Sequence, residues 1–108
     1  PNGNVYCATK HAVDALNKSM KMDLNPYGIR VGAIHPGLVQ TEFSEVRFKG
    51  DKDKAANVYK GFTPLQPEDI ADIIHFVVSR PYHVNISDLV VMASAQASAT
   101  IVNRDSNL

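Results

Sequence analysis

Ile29-Arg30-Val31-Gly32-Ala33-Ile34-His35, stopped at once by Pro36-Gly37, reads as a β-strand. Val31, Ala33 and Ile34 put apolar side chains on both faces of an extended segment. That suits a strand covered on two sides, as in a parallel sheet. Pro36 has no N–H to carry a ladder further, and Gly37 favours a turn. Parallel neighbours need a crossover connection, usually a helix. The flanking sequence should therefore supply helices and a second strand.

Upstream, residues 5–24 contain no proline or glycine and follow a helical pattern. Val13, Leu16, Met20 and Leu24 form an apolar stripe, and Ala8, Ala12, Ala15 and Ser19 form a neighbouring stripe of small residues. Either the helix packs on two sides, against a sheet and another helix, or it has one wide core face. Pro26 and Gly28 end it. Downstream, Pro67-Glu68-Asp69 opens a second helix, with proline in the first turn and acids at the positive end of the helix dipole. Ile70, Ile73, Ile74, Val77 and Val78 mark its core stripe up to Ser79, and Pro81 stops it. Leu89-Val90-Val91-Met92 is a short apolar strand, and the tail from Ala93 is expected to run extended.

Between Leu38 and Gln66 the pattern is less regular, with a charged segment from Glu42 to Lys54 and an amphipathic piece around Ala55 to Tyr59. A connection this long in a compact domain is usually a lid or binding loop. Two strands joined through a helix make a right-handed βαβ unit, so the class is α/β. Internal repeats and low-complexity tracts are absent.

The 108 residues have room for one domain, and 44% hydrophobic with 20% charged residues is ordinary globular composition. Eleven basic residues balance eleven acidic ones, which gives no electrostatic case for nucleic acid or an anionic membrane. No apolar run approaches the roughly 20 residues that a membrane span needs. The single Cys7 excludes an internal disulfide and fits a reducing, cytoplasmic setting. His11, His35, His75 and His83 lack metal-ligand spacing, so no metal site is expected. Asn85-Ile86-Ser87 matches a glycosylation sequon by chance.

Tyr6 and Lys10 are four residues apart and share one helix face. A free phenol has a pKa of about 10 and moves protons poorly at neutral pH. A nearby ammonium favours the phenolate and turns the phenol towards acid/base use. Two side chains on a solvated face explain the same spacing. Two parallel strands and two helices cannot cover both faces of a sheet or close its edge. The chain also starts with Pro1-Asn2-Gly3-Asn4 rather than methionine. The remaining strands are expected upstream of Pro1, with residues 1–108 as the C-terminal part of a single domain.

Tyr6-Cys7-Ala8-Thr9-Lys10, Ile29-Arg30-Val31 leading to Pro36-Gly37-Leu38-Val39 and Thr41, and Pro67-Glu68-Asp69-Ile70-Ala71 together resemble the C-terminal half of the classical short-chain dehydrogenase/reductase family. Thr41-Glu42-Phe43-Ser44, Val46-Arg47-Phe48-Lys49-Gly50-Asp51 and His83-Val84-Asn85-Ile86 are similar to its NADP-dependent 3-hydroxy acid (serine-type) dehydrogenases. The resemblance implies part of a Rossmann-type doubly wound parallel sheet that transfers hydride between NADP, or NAD, and a small hydroxy acid or semialdehyde. It makes Tyr6 the catalytic acid/base. Lys10 would assist it and bind the nicotinamide ribose. Pro36 and Gly37 would place the loop backbone beside the nicotinamide, where open α/β sheets bind ligands. Val39 would offer its backbone to the carboxamide, and Thr41 its hydroxyl to the carboxamide or pyrophosphate. Cys7 would be a small packing residue.

The family's glycine-rich cofactor turn, its Asn-Ala-Gly segment and its catalytic serine have no counterpart in these residues. The resemblance puts them in a missing N-terminal half, without which the chain alone should be nearly inactive. Arg47, and after it Lys49, are the candidates for a substrate carboxylate, because an arginine fork meets that group in bidentate geometry. The surrounding Glu45, Asp51, Lys52, Asp53 and Lys54 equally suit a solvated charged loop. The resemblance also implies a homo-oligomer paired through the Tyr6 helix. The alternative is a truncated or proteolysed fragment, acting only as a structural or oligomerisation module.

Overall fold

The structure, a computed structural model, describes residues 4–41 and 56–105. Its elements run α1 (Asn4–Leu24), a 3-10 turn (Asn25–Tyr27), β1 (Ala33–Pro36), α2 (Pro67–Val78) and β2 (Asp88–Val91). The chain divides into two compact units, Pro1–Ile34 with Arg80–Leu89, and His35–Ser79 with Val90–Leu108.

β1 and β2 form a two-stranded sheet. Ala33 N–H donates to the Ser87 carbonyl at 3.0 Å and Gly37 N–H to the Val91 carbonyl at 2.6 Å, so both chain positions advance together and the pair is parallel. The class is α/β, as the sequence implied.

In the first unit, α1 covers the expected span and ends as the sequence suggests. Pro26 lies in the 3-10 turn, and Gly28 at φ 70° donates its N–H to the Asn25 carbonyl as a left-handed cap. The strand is shorter than expected, and the segment before it is tied to residues 80–85 by side chains. Arg30 Nη1 donates to the carbonyls of Arg80 (3.0 Å), Pro81 (3.2 Å) and Val84 (2.8 Å), and Asn85 Nδ2 donates to the Val31 carbonyl (3.1 Å). Tyr82 Oη donates to the Gly28 carbonyl at 2.6 Å. Among the described residues α1 is covered only in part, with Asp14, Asn17, Lys21 and Leu24 half-buried. None of its residues is buried, and Val13, Leu16 and Met20 are 62%, 58% and 41% exposed.

In the second unit, Phe62, Ala93 and Ala95 are buried, and Leu38, Leu65 and Val102 pack against them. The tail is not extended. Gln96 N–H turns back to the Ala93 carbonyl (2.9 Å), Ala97 N–H meets the Ile101 carbonyl (2.9 Å), and Asn103 N–H meets the Ala95 carbonyl (2.8 Å). Small side chains that look featureless in sequence are what let this turn sit against the core. α2 starts at Pro67, as expected, where an Asp69 carboxylate oxygen accepts the Gln66 N–H at 2.8 Å. Ser79 caps its other end on the His75 carbonyl at 3.0 Å. Of the expected stripe, Ile70, Ile73 and Val77 are half-buried, whereas Ile74 and Val78 are exposed. Among the described residues no helix is long and apolar enough to cross a membrane.

Candidate functional site

α1 has no break between Asn4 and Leu24, so residues one turn apart are stacked. Lys10 Nζ lies over the Tyr6 ring, 5.3 Å from its centroid, where the negative ring face attracts a cation. Tyr6 is 56% exposed, and among the described residues its hydroxyl makes no hydrogen bond. Its own turn is braced by backbone contacts. Thr9 Oγ1 donates to the Tyr6 carbonyl (2.7 Å), and His11 Nδ1–H donates to the Cys7 carbonyl (2.7 Å). Cys7 is exposed rather than packed. The first unit thus presents a phenol with a free hydroxyl end and an ammonium on its face.

The loop after β1 belongs to the second unit. Pro36 is the last residue of β1. Gly37 is half-buried, and a Cβ there would collide with Gln96 Oε1 and lie 3.3 Å from Met92 Cγ. The same Gln96 Oε1 accepts the Leu38 N–H at 2.9 Å, while Gln96 Nε2 donates to the Ser98 carbonyl at 3.2 Å. Leu65 then bridges Val39 in parallel, taking the Gln40 N–H on its carbonyl (2.8 Å) and giving its N–H to the Leu38 carbonyl (3.1 Å). Gln66 Nε2 adds a bond to Gln40 Oε1 at 3.0 Å.

Consecutive residues of an extended segment direct their backbone groups to opposite sides. Leu38 and Gln40 therefore face Leu65, and Val39 faces away. The Val39 carbonyl accepts the Tyr59 hydroxyl at 3.0 Å, and its N–H has no acceptor among the described residues. Thr41 is exposed at the end of this stretch. Arg47 and Lys49 lie outside the described residues.

The structure brings Tyr6 and Lys10 together on one turn, and sets Pro36, Gly37 and Val39 in one braced loop. Gln96 and Tyr59, which brace that loop, escaped the sequence reading. The one available signal for Gln96 was a long amide among small residues at Ala93-Ser94-Ala95-Gln96-Ala97. For Tyr59 it was an aromatic on the short amphipathic piece.

A family model described as Enoyl-(Acyl carrier protein) reductase matches residues 1–98. An NADP-dependent 3-hydroxy acid dehydrogenase of Schizosaccharomyces pombe is 47% identical over 102 residues, covering 94% of this chain and 39% of that protein. A serine 3-dehydrogenase of Rhizobium radiobacter is 41% identical over 97 residues, covering 90% and 39%. Among solved structures, the closed form of a serine dehydrogenase complexed with NADP+ matches with a TM-score of 0.85 at 44% identity, over 92% of this chain and 40% of that one. The chain spans about two-fifths of the length of these relatives.

Proposed function

The chain belongs to the short-chain dehydrogenase/reductase family, and we propose that its full-length protein transfers a hydride between NADP and a small 3-hydroxy acid or its semialdehyde. Residues 1–108 then form the C-terminal part of one Rossmann-type domain, completed by an N-terminal half that carries the catalytic serine and the glycine-rich turn. The observation that carries this reading is the Tyr6–Lys10 pair, with an ammonium 5.3 Å from the ring centroid of a phenol that is 56% exposed.

Tyr6 gives its hydroxyl proton to the substrate oxygen during reduction and takes one from the alcohol during oxidation. Lys10 supplies positive charge beside the phenolate that this leaves, and binds the nicotinamide ribose hydroxyls. NADP, when bound, supplies or accepts the hydride at its nicotinamide ring. The residues present fit that group. A carboxamide oxygen needs a donor, and the Val39 N–H is a donor without an acceptor among the described residues. Gly37, with no side chain, leaves the space that Gln96 Oε1 fills as it holds the Leu38 N–H of this loop. Thr41 offers a hydroxyl to the carboxamide or the pyrophosphate. Arg47 is the candidate for the substrate carboxylate.

The exposed Val13, Leu16 and Met20 of α1 are apolar surface for the N-terminal half to cover, or for a second copy in a homo-oligomer. The lone cysteine supports a cytoplasmic setting. The test is NADPH oxidation by the full-length protein with malonic semialdehyde, against the variant Tyr6→Phe. Loss of a positioned acid/base should lower kcat by about a hundredfold or more. Full activity in the variant, or no turnover by the parent with any hydroxy acid or semialdehyde, overturns the proposal.

A further inference from the structure

We propose that Tyr59 is a positioning residue for the cofactor loop, fixing the Val39 backbone so that its N–H meets the nicotinamide carboxamide; this rests on the NADP reading above. The peptide between Val39 and Gln40 is held at both ends. Its carbonyl accepts the Tyr59 hydroxyl at 3.0 Å, and its N–H donates to the Leu65 carbonyl at 2.8 Å. Among the described residues the preceding peptide is held at one end only, by the Leu65 N–H on the Leu38 carbonyl at 3.1 Å. The donor left over is the Val39 N–H, on the side that Tyr59 shares. Without the phenol, the half-buried Val39 carbonyl has no partner among the described residues, and the peptide gains freedom to turn.

Tyr59 is itself held in place. Residues 56–58 are helical, and the Tyr59 N–H donates to the Ala56 carbonyl at 3.1 Å. Arg104 Nη1 then donates to the carbonyls of Asn57 (3.2 Å), Val58 (3.1 Å) and Lys60 (3.0 Å), on both sides of Tyr59 in sequence. Its guanidinium carbon stands 5.7 Å from the Phe62 ring centroid. A cation closing the last carbonyls of a helical turn is favourable both as a donor and against the helix dipole. The tail thus locks the turn, the turn aims the phenol, and the phenol orients the loop peptide. The sequence separation of Tyr59 and Val39 gives this contact no local signature.

The experiment measures binding of NADP and of 2′-phospho-ADP-ribose, the same cofactor without its nicotinamide, to the full-length protein by calorimetry. In Tyr59→Phe, which keeps the ring and removes the hydroxyl, NADP affinity should fall roughly three- to tenfold while that of the fragment stays unchanged. Arg104→Gln, which loosens the turn without touching the loop, should shift the same ratio in the same direction by less. Unchanged NADP affinity in Tyr59→Phe, or equal losses for both ligands, overturns the positioning role. If Tyr59→Phe does not fold, the ratio in Arg104→Gln decides. A parent protein that binds no NADP refutes the functional reading itself; a parent that binds NADP, with unaffected variants, refutes only the role of Tyr59.

Discussion

Gly37→Ala tests whether the loop after β1 is braced through one glutamine. Gly37 is not among the glycines with positive φ, so alanine suits its backbone, and any cost comes from what the new methyl meets. That neighbour is Gln96, whose Oε1 would collide with the methyl and whose Cδ would lie 3.1 Å away. Gln96 must swing aside, giving up the Leu38 N–H (2.9 Å) and the Ser98 carbonyl (3.2 Å). Two hydrogen bonds at about 0.5–1.5 kcal/mol each put the loss at roughly 1–3 kcal/mol. Met92 Cγ, 3.3 Å away, belongs to a flexible side chain and adds little. Gln96→Ala removes the same two bonds and should cost about the same. In the double variant the methyl has room and the bonds are already gone, so the losses should not add. Urea unfolding of full-length protein measures this. Each single variant should lower the midpoint by roughly 1 M, at a slope of about 2 kcal/mol per M, and the double variant should match Gln96→Ala. Additive losses would refute the account, because residues that act through one contact show coupling.

Gly61→Ala should destabilise by about 1–3 kcal/mol, since Gly61 sits at φ 84° and the Arg104 backbone carbonyl occupies the space of its missing Cβ; thermal unfolding checks it. Arg30→Leu removes three hydrogen bonds, to the carbonyls of Arg80, Pro81 and Val84, and should cost about 1–3 kcal/mol, read from urea unfolding. Arg47→Ala should raise KM for a 3-hydroxy acid much more than for an uncharged alcohol, and equal effects on both would remove Arg47 from the substrate site.

What was legible in the sequence was what is decided within a few residues. Pro26 with Gly28, and Pro67 with Asp69, end and start helices through contacts inside one turn, so their positions follow from residue type and spacing. Tyr6 and Lys10 are legible for the same reason, because a helix repeat alone stacks them. The length of β1 was not. It depends on Arg30 reaching carbonyls of residues 80, 81 and 84, and on Asn85 reaching Val31. The Asn85 bond occupies the Val31 carbonyl that the next rung of the ladder would use, and nothing in Ile29-Arg30-Val31-Gly32 announces either contact. The tail was misread because Ala93 and Ala95 carry no pattern; they are buried because they are small enough to lie against Phe62.

The candidate site divides along the same line. The side chains that would touch cofactor or substrate, Tyr6 and Thr41 among them, are exposed and chemistry-bearing, and residue type gives them away. The groups that aim them are ordinary residues met across long separations: Gln96 behind Leu38, Tyr59 behind Val39, Arg104 behind Tyr59. Their chemistry is generic and only their placement is specific. A backbone donor such as the Val39 N–H is common to nearly every residue. Its use as a binding group depends on the bonds that occupy its neighbours and leave it over. Substitutions at Gln96, Tyr59 and Arg104 should therefore act on cofactor affinity before they act on the proton-transfer step at Tyr6. A fall in kcat with unchanged NADP affinity in Tyr59→Phe would contradict that order.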